Sequence, residues 1–518
     1  MARTGHVDHF CRDHLPPADE QPEFRFDGPD LRYPERLNCA TALLDPAFAD
    51  RPCLRTDTSE VWTYGDLDRR SNQVAHVLTE DHGLVPGNRV MLRAPNNPWL
   101  VAAWFGVLKA GGVVVTTVPL LRAGEVAALI SLTRPSLLIC DPRFADDLPV
   151  TDVPVITDLP ERCLTKSATF TAVDTAADDV ALLATTSGTT GRPKATMHYH
   201  RDVLAITDTF GKHVLKPTPD DVFTGTPPLG FTFGLGGLVI FPLRVGASTL
   251  LVERMTDLPA TIARHQVTVL FTAPTAYKAM LTSDVSKLTS LRRCVSAGEH
   301  LAQPVWTEFF STTGIRIIDG IGGTEMLHIF ISAADDNIRP GSTGRAVPGY
   351  QAVVLDDDGV PVPDGALGRL AVKGPTGCRY LADPRQRTYV HNGWNLTGDT
   401  FVRDADGYFW YQGRNDDMII SAGYNIAGPE VEDALAGHPD VAEVAVVGVP
   451  DEERGMIVKA FVVLRQGVDA EPSKVAELQA YAKRTIAPYK YPRAVEFLTA
   501  LPKTSTGKVQ RFRLRASS

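Results

Sequence analysis

The chain has 518 residues, 44% apolar and 22% charged, too apolar for a disordered chain and long enough for one large domain plus a smaller one. Its 52 Lys and Arg against 61 Asp and Glu leave a net charge of −9, which excludes a general nucleic-acid binder but leaves room for a local basic site. Seven cysteines are scattered with no C-x-x-C pair, so neither a disulfide framework nor a structural zinc site is expected.

In chain order, residues 1–17 contain no apolar run; no secretory leader is expected, and a cytoplasmic location is. LDRRSNQVAHVLTED (67–81) predicts a helix and GNRVMLRAP (87–95) a short strand. Residues 99–121 are apolar over a bilayer-like length, but Lys109 lies mid-run and Gly111-Gly112 follow it. A helix, a glycine turn and a β-branched strand are expected there rather than a membrane span. SLLICD (136–141) and VTVLFTAP (267–274) read as further short strands, and their alternation with helices predicts parallel sheets with crossover helices.

After about residue 340 the pattern changes to short strands broken by Asp-Asp-Gly and Pro-Asp-Gly turns, as in a small β-rich barrel or meander. From 413–416 onward it changes again, to a helix (429–438), two strands (441–449 and 457–464), a helix (473–486) and a basic tail, which suits a compact α+β unit. The expected domains are therefore 1–413 and 414–518.

The segment from Thr185 to Lys194, TTSGTTGRPK, packs five hydroxyls, two glycines and two cations into ten residues. Glycine lets backbone N–H groups approach an anion, hydroxyls add donors, and Arg192 and Lys194 supply charge, which together predict a polyphosphate-gripping loop. It is no Walker loop, because Gly188 and Gly191 are too close and Ala195 follows Lys194. Dinucleotide fingerprints fail at Glu325 and Val239, where their third glycine belongs. His198 and His200 alternate as on a strand, and without a carboxylate or third histidine at metal spacing they are expected to be structural.

This loop resembles the phosphate signature of the acyl-adenylating superfamily of acyl-CoA synthetases, luciferases and peptide-synthetase adenylation domains. SAGEHL (296–301), GIGGTE (320–325), LTGD (396–399), GRNDDMI (413–419) and PKTSTGKVQR (502–511) follow in that family's order. TEMLHIF (324–330), PPLGFTFGLGG (227–237), TAPTAYKAML (272–281) and NGWNLTGD (392–399) are similar to its aryl branch, the benzoate- and 2-aminobenzoate-CoA ligases. Ile321 departs from the superfamily's frequent adenine-stacking Tyr, a position at which the aryl branch tends to be aliphatic.

The resemblance implies a large N-terminal domain of two α/β sheet subdomains plus a β-barrel-like part, with a small mobile α+β C-terminal domain. It implies ATP binding by Thr185, Thr186, Ser187, Gly188, Thr189, Thr190 and Lys194, with Gly298, Glu299, Asp319, Gly320, Ile321 and Gly322 around adenine. Asp399 would accept the ribose hydroxyls, with Arg414 nearby. Thr324 would donate to phosphate, Glu325 would face Mg²⁺, and Lys508 would bridge carboxylate and phosphate oxygens. Thr232, Phe233, Gly323, His328 and Ile329 would line the acid pocket, with His328 able to hydrogen-bond a ring amino or hydroxyl group. Asp416 would be the hinge, and Gly423 and Tyr424 the CoA channel.

The expected activity is ATP-dependent activation of a benzoate- or aminobenzoate-like acid through an acyl-AMP, then thioester formation with CoA. Alternatives that share the first half-reaction are a carrier-protein thiol, an amine acceptor, or adenylation of nitrite for diazotisation. No nucleic-acid or membrane partner is expected; a homodimer is compatible with the chain.

Overall fold

The computed structural model describes residues 3–187, 193–414, 419–421, 424–451, 454–486, 490–503 and 509–516. Gly188, Thr189, Thr190, Arg192, Asp416, Gly423 and Lys508 lie outside the described residues, and the side chains of Ser187 and Tyr424 are not described.

The helix Tyr64–His76 begins at Thr63, whose hydroxyl accepts from the Asp66 N–H at 3.0 Å while the Asp66 carboxylate accepts from the Thr63 N–H at 2.9 Å. Such a reciprocal cap is worth about 1 kcal/mol. It packs on the helix Pro98–Lys109, which is buried along nearly its whole length. The charge inside that apolar run is satisfied, because Lys109 Nζ donates to Asp68 Oδ1 at 2.6 Å and to Asn72 Oδ1 at 2.7 Å. Gly111 then turns the chain at φ +72°, a conformation that a side chain would strain, and Val113–Thr116 enters a sheet. Among the described residues no helix is long and apolar enough to cross a membrane.

Two sheets carry the α/β architecture. The first orders its six strands as 155–156, 137–140, 89–93, 113–116, 180–187 and 193–199, all neighbours parallel except the last pair. The second has nine strands, of which six neighbours run parallel: 317–322, 293–296, 269–272, 222–225, 248–251 and 52–56. One apolar cluster spans both, including Trp62, Phe105, Phe210, Phe241 and Phe271, each side chain stabilising the fold by about 1.5–3 kcal/mol on burial. A third, five-stranded antiparallel sheet follows, built from 351–355, 367–373, 390–391, 394–403 and 409–414.

Beyond it, strands 441–451 and 455–464 form a long antiparallel pair, joined by 419–421, 424–426 and 494–497. The helices Gly428–Ala436 and Pro472–Thr485 bury Val431, Leu435, Leu478 and Ala482 against this sheet. The molecule is thus a large body of sheets with a small α+β unit. His200, expected on a strand, instead begins the helix His200–Ile206, because the Asp202 carboxylate accepts from the Tyr199 N–H at 3.1 Å and caps the turn.

Candidate active site

Parallel strands direct their C-terminal ends, and the loops that leave them, to one edge, where open α/β sheets bind ligands. From the nine-stranded sheet that edge carries Thr226–Gly230, Ser296–Leu301 and Asp319–Glu325; from the six-stranded sheet it carries the hairpin between Val180–Ser187 and Pro193–Tyr199. Thr186 lies opposite Lys194 in this hairpin and so shares its face. Thr185 points the other way: its hydroxyl is buried and donates to the Thr116 carbonyl at 2.7 Å, tying the hairpin to the neighbouring strand.

Lys194 crosses to the second sheet's loops. Its Nζ lies 2.7 Å from Glu325 Oε1, and the Tyr380 hydroxyl donates to the same oxygen at 2.5 Å. Burial acts to raise the Glu325 pKa, but the Lys194 ammonium and the Tyr380 hydroxyl hold it below the usual carboxylate range, so the group is ionised. The Lys194 and Tyr380 contacts both fall on Oε1, and an ideal Cβ on Gly323 would lie 3.3 Å from Oε2. An ionised carboxylate with one oxygen on the side of a residue that has no side chain is a hard donor, and suits a Mg²⁺ carried on phosphate.

The turn that presents Glu325 is strained and anchored. Leu327 adopts φ +68°, ψ −40°, costly for a side-chain-bearing residue and of the kind that clusters at functional sites. His198 Nε2–H donates to the Thr324 carbonyl at 2.8 Å, and the Thr376 hydroxyl donates to the Met326 carbonyl at 2.7 Å. Burial pushes His198 down to about 4, leaving it neutral, which suits a tether rather than a charge carrier. His200 accepts from the Cys39 N–H at 3.2 Å. Each histidine thus bonds a backbone group through one ring nitrogen.

Asp399 and Arg414 pair across adjacent strands, with Arg414 Nη1 3.4 Å from Asp399 Oδ1. Asp399 is buried and Arg414 exposed, so the acidic group is backed by protein while the cation reaches solvent. The Tyr389 hydroxyl lies in the field of both Glu325 and Asp399, and its pKa is raised by burial and by those two charges. Asp319 is half-buried as a residue, but its Oδ1 is sealed from solvent, and burial pushes the carboxyl up to about 7. Around it, Gly298 and Gly322 are exposed, Glu299 and Ile321 half-buried, and Gly320 buried under the Ile329 side chain.

The acid-pocket candidates form an aromatic cluster. The Phe233 ring centroid is 5.7 Å from that of His328 and 5.5 Å from that of Phe271, and Phe241 stands edge-on to His328 at 4.6 Å. Thr232 and Phe233 open a helix that continues as a π-helical stretch, Gly236–Ile240. Gly236 is required there, because a Cβ would sit 2.3 Å from His328 Cδ2. His328 is buried, with neither ring nitrogen hydrogen-bonded among the described residues, and burial pushes it down to about 3. Ile329 is buried on the following strand.

Sequence reasoning missed Tyr380, Tyr389 and the His198 tether. Tyr380 is 186 residues from Lys194, and no local spacing announces it. One further acidic cluster, His438 with Asp440 and Glu477, already holds the Lys474 ammonium, which lies 2.6 Å from each carboxylate.

Residues 45–380 match the family model described as AMP-binding enzyme, and 430–508 match the AMP-binding enzyme C-terminal domain. The chain is 34% identical to a benzoate–CoA ligase of Thauera aromatica, over 94% of this chain and 98% of that protein. It is equally 34% identical to the mitochondrial acyl-coenzyme A synthetase ACSM3 of Mus musculus, over 88% of this chain and 84% of that one. Among solved structures it is similar to the anthranilate CoA ligase AuaEII in complex with anthranoyl-AMP, with a TM-score of 0.89 and 34% identity over 94% of this chain and 98% of that one.

Proposed function

Because the chain belongs to the AMP-binding enzyme family, we propose that it activates an aromatic carboxylic acid of the benzoate or aminobenzoate kind with ATP and passes the acyl group to CoA. The observation that carries the aromatic reading is the half-buried Phe233, its ring flanked by those of His328 and Phe271. Flat apolar walls with one convergent polar group suit a substituted ring better than a flexible chain.

In the first step a carboxylate oxygen attacks the α-phosphorus, the bond between the α- and β-phosphates breaks, and pyrophosphate leaves. Two anions must meet, so cations are needed where negative charge concentrates. Lys508 is assigned to bridge carboxylate and α-phosphate; a unit charge at about 4 Å and an effective dielectric of about 20 contributes roughly 4 kcal/mol before desolvation. Lys194, Thr186 and residues 187–190 hold the outer phosphates, Thr324 donates to phosphate, and Asp399 accepts from the ribose hydroxyls. Asp319–Gly322, Gly298 and Glu299 surround adenine. Glu325 would hold a Mg²⁺ carried in with the nucleotide, which would supply further charge neutralisation.

In the second step a thiolate sulfur attacks the acyl carbon and AMP departs with the electron pair of the C–O bond. Residues 414–518 act as the mobile domain, turning about Asp416 to withdraw Lys508 and bring Gly423 and Tyr424 to the thiol channel. The test is a panel of aryl and linear acids with ATP, scored for pyrophosphate with and without CoA, and mass analysis of the products. Pyrophosphate release and a CoA thioester with benzoate-type acids support the reading; preference for linear acids, or products lacking CoA, overturns it.

A further inference from the structure

Tyr380 belongs to none of the segments that carry the resemblance, yet it lies at the meeting point of the two sheets' loops. Its ring is only 1% exposed. Its backbone bridges Thr196 on the phosphate-loop strand, and its N–H donates to Gln386 Oε1 at 2.8 Å. Gln386 is fixed in turn, its Nε2 donating to the Glu20 carbonyl at 2.9 Å and to the Cys378 carbonyl at 3.2 Å. Tyr389 closes the remaining side, edge-on at 5.7 Å between centroids. The hydroxyl is therefore held by a frame that has no freedom to follow its partners.

That hydroxyl accepts from the Lys194 ammonium and donates to Glu325 Oε1 at 2.5 Å, a charge-assisted bond of the strong class. Lys194 Nζ reaches the same Oε1 at 2.7 Å and lies 4.6 Å from the Tyr380 ring centroid. Both contacts with the carboxylate fall on one oxygen, Oε1. The other, Oε2, is turned toward Gly323. Without the phenol, a lone ammonium would be free to centre itself between both oxygens and turn Oε2 away from Gly323.

We propose that Tyr380 is a positioning residue that fixes the rotation of the Glu325 carboxylate, reserving Oε2 for the divalent cation carried by the triphosphate while keeping Lys194 on the opposite oxygen. The inference rests on Glu325 being the residue that faces that cation. An outer partner that orients a metal-facing group typically changes metal affinity about 10–100-fold when removed.

The test is isothermal titration of the full-length protein with ATP, with Mg²⁺ and with EDTA, for wild type, Tyr380→Phe and Glu325→Gln, with circular dichroism on each. Phe keeps the ring contact with Tyr389 and removes only the hydroxyl. Tyr380→Phe is expected to lose about tenfold in affinity for MgATP, with less than a twofold change for metal-free ATP. Equal losses with and without Mg²⁺ would mean a merely structural role, and no loss would mean a spectator; either overturns the inference. If Glu325→Gln abolishes the tightening by Mg²⁺ while Tyr380→Phe preserves it, the role of Tyr380 alone falls. If Glu325→Gln preserves it, the assignment of Glu325 falls and the inference with it.

Discussion

His300, in the loop Ser296–Leu301 of the large body, has its Nε2 3.1 Å from Asp433 Oδ2 on the helix Gly428–Ala436 of the small unit, and its ring stacks on Tyr411 at 5.3 Å. The pair joins the segment assigned to adenine directly to the domain assigned to move. Burial acts to lower the His300 pKa, but Asp433, Asp319 and Glu432 outweigh it and hold it raised. A raised histidine stabilises fully below its unfolded value near 6.5, and the contribution is lost as pH rises through the higher folded value. With side chains 17% and 30% exposed, the pair is worth roughly 1 kcal/mol or less. His300→Gln should therefore lower the melting temperature at pH 6 and leave it unchanged at pH 9; a loss that is equal at both would contradict the pairing.

At His200 and His328 no carboxylate outweighs burial, and each is pushed down to about 3. A histidine kept neutral in the fold costs stability once the unfolded chain takes up a proton, so stability falls as pH drops below about 6.5. Each group contributes a slope of up to about 1.4 kcal/mol per pH unit. In urea titrations between pH 7 and 5, His200→Gln should flatten the dependence of the midpoint relative to wild type. An unchanged slope would mean that His200 is charged in the fold.

Asp399 is the group best placed to distinguish nucleotide from acid binding. Removing a hydrogen bond to a charged group costs about 1.5–3 kcal/mol, so Asp399→Ala should weaken ATP binding about 10–100-fold in titration calorimetry. The acid KM should move less than threefold. Loss of both together would place Asp399 in the framework rather than against ribose.

Phe233 carries the complementary case. If its ring lines the acid site, Phe233→Ala should raise the KM for benzoate-type acids about tenfold or more and leave the KM for ATP within twofold, as expected from losing a well-packed aromatic contact. An acid KM within twofold of wild type would remove it from the pocket wall.

Much of this arrangement is legible from the order of residues. The apolar run around Lys109 reads as a helix, a glycine turn and a strand because the charge and the glycines interrupt it, and Asp68 and Asn72 then neutralise that charge. The cluster of hydroxyls, glycines and cations at 185–194 reads as a phosphate loop because such a cluster has no place in a core. Three features stay hidden. Tyr380 acts on Lys194 and Glu325 through chain folding alone. The strain at Leu327 arises from anchors supplied by His198 and Thr376, which no local pattern reveals. The rings around His328 come from widely separated segments, Phe210, Phe233, Phe241 and Phe271, so a hydrophobic reading sees each one as ordinary core.

The central claim is that a cation from the C-terminal unit makes adenylation possible and is dispensable afterwards. Rapid-quench single turnovers of Lys508→Ala test it, comparing pyrophosphate release from ATP and acid with CoA-ester formation from supplied acyl-adenylate. The account predicts that the first rate falls about 10²–10³-fold, as for removal of one transition-state donor, while the second stays within a few-fold of wild type. Equal loss of both rates, or an unchanged first rate, would contradict it.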